Sequence, residues 1–185
     1  LNPFAKQRGP ELKAQLVRAA IAAIEAVREV DPSSRICHAE PIIHIAVDPD
    51  YPEEAAAAEG YRMSQFQAFD MLAGRLCPEL GGRPEYLDLL GLNYYSNNQW
   101  IHQDPDLPKA RRRKDVLLPP SHPLHRPVRE MLLEVYERYR RPIFIAETSH
   151  VGSGRAEWIR EMATELVAAI DVGVPLEGVC LYPII

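Results

Sequence analysis

Several short apolar runs in this sequence end in residues that can do chemistry. Glu40 follows an Ile-containing run, Asn93 and Tyr95 follow a Leu-rich one, and Glu147 and Tyr182 each close another. His38 stands two residues before Glu40. A carboxylate at a strand end can serve catalysis, and His, Asn and Tyr beside it can contact a ligand. Each has a plain alternative. Glu147 could be a solvated strand end, His38 a hydrogen-bonded structural residue, and Tyr182 part of the core. Burying an unpaired polar group costs kilocalories, so several such groups at strand ends weigh more than any one of them.

The elements that must position them alternate. Residues 11–30 carry Leu12, Leu16, Ala20, Ile24 and Val27 at helical spacing, and Pro10 sits near the start, where its missing N–H costs nothing. Asp31-Pro32 closes this helix, because the residue before proline avoids helical dihedrals. Residues 35–45 are rich in Ile and read as a strand. A second helix is predicted over 52–77, with Met63, Phe66, Phe69, Ala73 and Leu76 on one face. Gly81-Gly82 and Pro84 mark a loop, and 87–95 reads as the next strand. A long connection, 96–126, is dense in Pro, His, Arg and Asp. Then come a helix over 127–140 with Val128, Met131, Leu132 and Val135 inward, a strand over 142–147, a helix over 156–171 and a strand over 178–182.

Strands separated by single helices imply parallel pairing and right-handed crossovers. Two α/β architectures fit. An open doubly wound sheet should carry a Gly-rich phosphate loop after an early strand, and the sequence has none. A (β/α)8 barrel collects polar residues at its strand C-termini, which is the pattern present. Strand alternation then turns His38 and Glu40 toward the barrel interior, and Cys37 and Ala39 outward. Gly91, Asn93 and Tyr95 face in, with Leu92 and Tyr94 out. Ile145 and Glu147 face in, with Phe144 and Ala146 out, and Cys180 and Tyr182 face in. Glu40, Asn93, Tyr95, Glu147 and Tyr182 would converge at one end. Connections above about 12–15 residues without regular structure are uncommon unless functional or disordered, so 96–126 adds weight. Within it, Trp100 could stack on the C–H face of a sugar ring, or simply anchor the loop.

Composition narrows the classes. Apolar residues make up 46% of the 185 and charged residues 25%, a normal globular mix. The net charge of -5 argues against nucleic acid, and the basic run 109–114 reads as a solvated loop. Cys37, Cys77 and Cys180 lack metal-type spacing and read as reduced, buried thiols of a cytoplasmic protein. His122 and His125 have no carboxylate partner that would give a metal-ligand set, so neither metal nor cofactor is expected. No stretch approaches the roughly 18 apolar residues of a membrane span, and no secretory signal is visible in a chain that starts at Leu1.

Three stretches carry a resemblance. Leu89-Leu90-Gly91-Leu92-Asn93-Tyr94-Tyr95-Ser96 resembles the sixth strand of family 1 glycoside hydrolases, with its Gly-x-Asn-Tyr-Tyr. Ile143-Phe144-Ile145-Ala146-Glu147-Thr148 resembles the seventh, which carries the nucleophilic glutamate. The family often has Thr-Glu-Asn-Gly there, whereas Ala146-Glu147-Thr148-Ser149 keeps only the glutamate and its apolar lead-in. Residues 178–182 resemble the eighth strand, with Tyr182 where the family usually has tryptophan. The resemblance implies a retaining β-glucosidase-like enzyme acting on a carbohydrate. Glu147 would attack the anomeric carbon, and a second carboxyl would protonate the leaving oxygen and then activate water. It also implies that Tyr95 hydrogen-bonds Glu147, and that Asn93 orients the same carboxylate or a sugar hydroxyl. A cis peptide is expected at Tyr182-Pro183, where proline makes that isomer accessible.

Ala39-Glu40-Pro41 looks like the Asn-Glu-Pro that carries the family's acid/base on strand four. Strand counting points elsewhere. Strands four and seven need two strands between them, and only 87–95 lies between Glu40 and Glu147. Glu40 therefore belongs on strand five as a site-wall residue with His38, the acid/base being its lesser role. The chain then reads as one domain, residues 1–185, holding strands five to eight. Such a half barrel exposes sheet edges that invite pairing, so a missing N-terminal half or self-association is expected, and no activity from the chain by itself. The other function class is a catalytically degenerate barrel that binds carbohydrate or serves as a partner domain. The changes after Glu147 and at Tyr182 keep it open; an Asn-Glu on strand four would favour the enzyme, and its absence the binder.

Overall fold

The computed structural model describes residues 7–104 and 116–183. The basic run 109–114 lies outside them. Helix α1 (Gly9–Val30) leads into strand β1 (Cys37–Pro41) and the short β2 (His44–Ala46). Helices α2 (Ala55–Met63) and α3 (Gln67–Leu72) follow, then β3 (Leu89–Asn93) and β4 (Gln99–Ile101). Helix α4 (Val128–Tyr139), β5 (Ile143–Thr148), α5 (Arg155–Asp171) and β6 (Leu176–Leu181) complete the order. One sheet has the order β1-β3-β5-β6, and β2 with β4 forms a second, parallel pair. No helix of the described residues is long and apolar enough to cross a membrane.

The chain divides into two compact units, Leu1–His38 with Phe66–Leu90, and Ala39–Gln65 with Gly91–Ile185. In the first, α1 buries Val17, Ile21 and Ile24. The predicted stripe was Leu12, Leu16, Ala20, Ile24 and Val27. Only Ile24 of its larger side chains is buried, whereas Leu16 is 60% and Val27 44% exposed. The apolar residues of α1 are too many for one face, and the narrower Val17-Ile21-Ile24 line is the one that packs. Arg28 reaches Asp88 at 2.6 Å, and Asp88 also accepts the Ile36 N–H at 2.8 Å, which fixes the entry to β1. Where one helix was predicted over 52–77, the chain makes a 3-10 turn, α2, a second 3-10 turn at Ser64–Phe66, and α3. Gln65 occupies the break. Its side chain accepts the Ile43 N–H and donates to the Arg62 carbonyl, each at 2.8 Å. This local bonding competes with a continuous helix.

The second unit holds β5 against β6 in parallel, Ile145 facing Val179 and Thr148 facing Leu181. The connection over 96–126 has regular structure after all. Its β4 pairs with β2, His44 opposite Gln99, and Trp100 makes an antiparallel bridge to Leu117. The Gln99 side chain, 1% exposed, donates to Tyr94 Oη and accepts the Arg126 N–H. A polar residue inside a loop thus serves as an internal brace. Glu134 of α4 lies between Arg62, at 2.7 Å, and Arg126. Burial works to raise its pKa, and hydrogen bonds from Arg62 and Arg126 overcome that and lower it.

His44 of β2 gives a pH-dependent term. Its Nε2 lies 3.2 Å from the Leu124 carbonyl, and its Nδ1 is buried without a hydrogen-bond partner. Burial lowers its pKa, the Leu124 carbonyl opposes that, and Arg126, Arg62 and His125 add to the lowering. A depressed folded pKa means stability that is present above the ordinary value of about 6.5 and lost as pH falls through the folded value. The chain should therefore melt lower at pH 5 than at pH 7.5. In His44→Gln the difference should shrink, as thermal melts at the two pH values would show. An unchanged difference would remove His44 from the explanation.

Candidate functional site at the strand ends

The second unit builds the site from adjacent residues whose side chains part to opposite faces. Tyr94 goes toward α5, where it is 3% exposed and stacks on Trp158 at 5.7 Å. Tyr95, next in sequence, goes the other way. Its hydroxyl oxygen lies 3.0 Å from Glu147 Oε2 and 3.0 Å from the Tyr182 carbonyl. The single phenolic proton serves whichever of these two acceptors it points to. Burial, then the hydrogen bond and the charge of Glu147, push the Tyr95 pKa up to about 12. Tyr95 thus stays a proton donor through the neutral range.

Glu147 reaches this face through a break in strand alternation. Ile143 and Ile145 are fully buried, and Thr148 joins them, its Oγ1 accepting the Trp158 Nε1–H at 2.9 Å. The register of β5 on β6 shifts between Ile145 and Thr148. One extra residue there re-aims the side chains that follow, so Glu147 points away from α5 while Ile145 does not. Simple alternation, which placed Ile145 and Glu147 on one face, fails at that step. Phe144, expected to face outward, lies against Gly178, where an added Cβ would meet its ring at 2.5 Å.

Backbone bonds tie the strand ends together. Tyr94 N–H donates to the Glu147 carbonyl at 2.9 Å, Ile42 N–H to the Asn93 carbonyl at 3.1 Å, and Tyr182 N–H to the Thr148 carbonyl at 3.1 Å. Ser149 Oγ donates to the Pro183 carbonyl at 2.9 Å. The Tyr182-Pro183 peptide is cis, as expected. Asn93 brings an unmet acceptor. Its side-chain Oδ1 is buried without a hydrogen-bond partner, a state that costs free energy unless a ligand or partner group satisfies it.

Of the other candidate residues, His38 is placed differently from the expectation. In β1 the even residues His38 and Glu40 are half-buried, and Cys37 and Ala39 are exposed. In the first unit the His38 ring meets Phe69 of α3 edge-on at 5.8 Å, so it lies on the helix side, where Cys37 was expected. An imidazole edge packs on an aromatic ring without being orphaned. Glu40 is half-buried in the second unit. Trp100 belongs to β4, and its ring meets Tyr61 of α2 edge-on at 5.8 Å, the anchoring arrangement. Tyr182 is 60% exposed. Cys37 and Cys180 are exposed rather than buried, and no disulfide joins the three thiols. No cluster among the described residues could hold a metal ion. A cavity of about 680 Å³ in the second unit is lined by His150, Trp158, Glu157 and Glu161 among others, and by none of the candidate residues.

Solved structures place this geometry in context. A β-glucosidase from Thermotoga maritima in complex with glucoimidazole superposes with a TM-score of 0.66 at 21% identity, covering 91% of this chain and 46% of that one. A family 1 glycoside hydrolase from the same organism, complexed with a cyclophellitol analogue, gives 0.63 at 22% identity, with the same coverages of 91% and 46%. This chain shares its fold with the family 1 β-glucosidases. A hyperthermophilic β-glucosidase mutant gives 0.63 at 20% identity, with 92% of this chain on 39% of that one. The chain thus spans less than half the length of these structures. No protein-family model matches the chain, and no curated protein matches it.

Proposed function

We propose that this chain carries the nucleophile's half of a retaining glycosidase site, acting on β-glucoside-like sugars, with β1, β3, β5 and β6 as barrel strands five to eight. The observation that carries the reading is the Tyr95 hydroxyl held 3.0 Å from Glu147 Oε2 at the ends of two neighbouring strands. A carboxylate fixed in this way is a positioned nucleophile. Glu147 forms a bond to the anomeric carbon while the bond to the leaving oxygen breaks, and that oxygen takes a proton from a second carboxyl about 5–5.5 Å away. The same carboxyl then removes a proton from the water that releases the sugar. We assign the acid/base to strand four, outside this chain. Asn93 offers its unpartnered Oδ1 to a sugar hydroxyl, and Glu40 and Tyr182 are the remaining candidates for contact with substrate.

The test needs these residues joined to the four strands that would precede them in a barrel. That protein should hydrolyse aryl β-glucosides. Tyr95→Phe should lower kcat/KM by about 10–100-fold, the worth of a hydrogen bond to a charged group at about 1.5–3 kcal/mol, with the melting temperature little changed. A Tyr95→Phe protein as active as its parent would remove Tyr95 from the site. The 185-residue chain alone should turn over nothing.

A second reading has one observation behind it. Thr148 and Ser149 stand where the family often has Asn-Gly, and their hydroxyls are engaged by Trp158 and the Pro183 carbonyl. Neither is left to reach a sugar. A barrel that binds carbohydrate without cleaving it would be expected to bind a β-glucoside and leave it intact.

A further inference from the structure

We propose that the cavity on the α5 side of β5 is a second binding site, taking an organic ammonium ion carried on an apolar body. It lies wholly within the second unit. It makes no use of the sugar chemistry and goes beyond the glycosidase reading.

The cavity, about 680 Å³, is bounded by the 117–121 segment, the 150–154 turn and the first two turns of α5. That volume suits a small organic ligand. Its apolar wall includes Leu117, Pro119 and Trp158. Trp158 is held by its stack on Tyr94 and by its bond to Thr148 Oγ1, so this wall has a fixed geometry. Glu147 points away from α5 and toward Tyr95, so the cavity and that pair occupy opposite faces of β5.

The charges at the cavity are unbalanced. Glu157, Glu161 and Glu165 recur at four-residue spacing along α5, which puts three carboxylates on one face. Glu165 is answered by Arg129, whose backbone N–H and guanidinium reach it at 3.0 and 2.5 Å. Glu157 and Glu161 line the cavity. Glu157 stands in the first turn, where the helix dipole favours a carboxylate. Glu161 is a turn further in, and the dipole effect falls off within the first turn. It is half-buried, and burial, then the charges of Glu165 and Glu157, push its pKa up. Like charges one turn apart destabilise a helix. A cation bound beside Glu157 and Glu161 would turn that repulsion into attraction.

His150 adds an acceptor. Its Nδ1 lies 2.9 Å from the Val151 carbonyl, which calls for the ring proton on Nδ1 and leaves the Nε2 lone pair of the neutral ring open to a donor. Gly154 makes room for this ring, since an added Cβ would meet it at 2.6 Å. No group of three among the described residues, these included, could hold a metal ion. Acceptors spread over a cavity of this size suit a donor carried on a larger molecule instead. An ammonium group supplies three N–H donors and the positive charge that the carboxylates lack. Leu117, Pro119 and Trp158 would cover its apolar body.

The test uses the purified 185-residue chain and 2-phenylethylamine. Isothermal titration calorimetry should show saturable binding at one site per chain. 2-Phenylethanol, with the same body and no charge, should bind about tenfold or more weakly, the worth of a hydrogen bond to a charged group. Glu161→Gln should weaken the amine by a similar factor and leave the alcohol unchanged. It should melt no lower than the parent, because it removes one carboxylate from beside two others. Trp158 reports the location. In Trp100→Phe it is the sole tryptophan, and its fluorescence should change along the same saturation curve. Glu147→Gln should leave the amine's affinity unchanged. The proposal would be overturned by a lack of saturable binding or by equal affinities for amine and alcohol. An amine affinity that survives Glu157→Gln and Glu161→Gln together would also overturn it. So would a loss on Glu147→Gln, which would put the amine on the sugar-facing side. No sugar enters the experiment, so failure here would leave the glycosidase reading standing.

Discussion

Glu147→Gln, made in a protein that joins this chain to a complete barrel, should lower kcat by about 10⁴-fold or more, because a covalent mechanism loses its nucleophile. The expected effect exceeds that of Tyr95→Phe because Tyr95 holds the group that reacts and does not itself react. The fold should survive. Glu147 is only half-buried, and its neighbours Ile145 and Thr148 carry the packing of β5. Small anions such as azide, supplied to Glu147→Ala, should restore turnover of a substrate with a good leaving group by entering the space left by the carboxylate. A Glu147→Gln protein retaining about a tenth of the parent activity would show that Glu147 is not the nucleophile.

Gly82→Ala should be the most damaging small substitution in the first unit. A Cβ there would sit 1.9 Å from the Met71 carbonyl, 2.8 Å from Gly74 N and 2.9 Å from the Leu72 carbonyl. All three are backbone atoms at the end of α3, so no side chain can swing aside. The same segment carries the Arg83 N–H to Leu72 carbonyl bond at 2.7 Å. Separating the two backbones would cost about 3 kcal/mol or more, in the range of severe core lesions. For a chain of this size that is a fall of roughly 6–12 °C in Tm. Gly60→Ala is the control. Gly60 lies in α2, and an added Cβ meets nothing within 4 Å. Helix propensity should make that variant more stable by about 0.5–1 kcal/mol. Thermal melts of the two variants side by side would separate steric conflict from a general dislike of substitution.

How much of this was legible in the sequence differs by element. The helices α4 and α5 and the strands β5 and β6 lie within a residue or two of their predicted spans, because periodicity and flanking prolines mark them locally. The separation of Tyr94 from Tyr95 followed from alternation, and so did the face of Glu147, though by a route that misplaced Ile145. The register shift in β5 depends on which residue of β6 stands opposite, and no local pattern encodes that. His38 was misplaced because alternation fixes which residues share a face but not which face the helices cover. The Gln65 break and β4 were missed because each rests on bonds to distant partners, Gln65 to Ile43 and His44 opposite Gln99. Gln99 and Asn93 Oδ1 matter to the site's frame, yet only their surroundings in three dimensions show one braced and the other unpartnered.

The most direct measurement is to incubate the chain, joined to the four strands that would precede it, with activated fluoro-sugars that trap retaining nucleophiles. Peptide mass mapping then locates the label. A single sugar adduct on Glu147, lost in Glu147→Gln, is the expected result. A label on another carboxylate, or an unlabelled protein across several β-configured sugars, would contradict it.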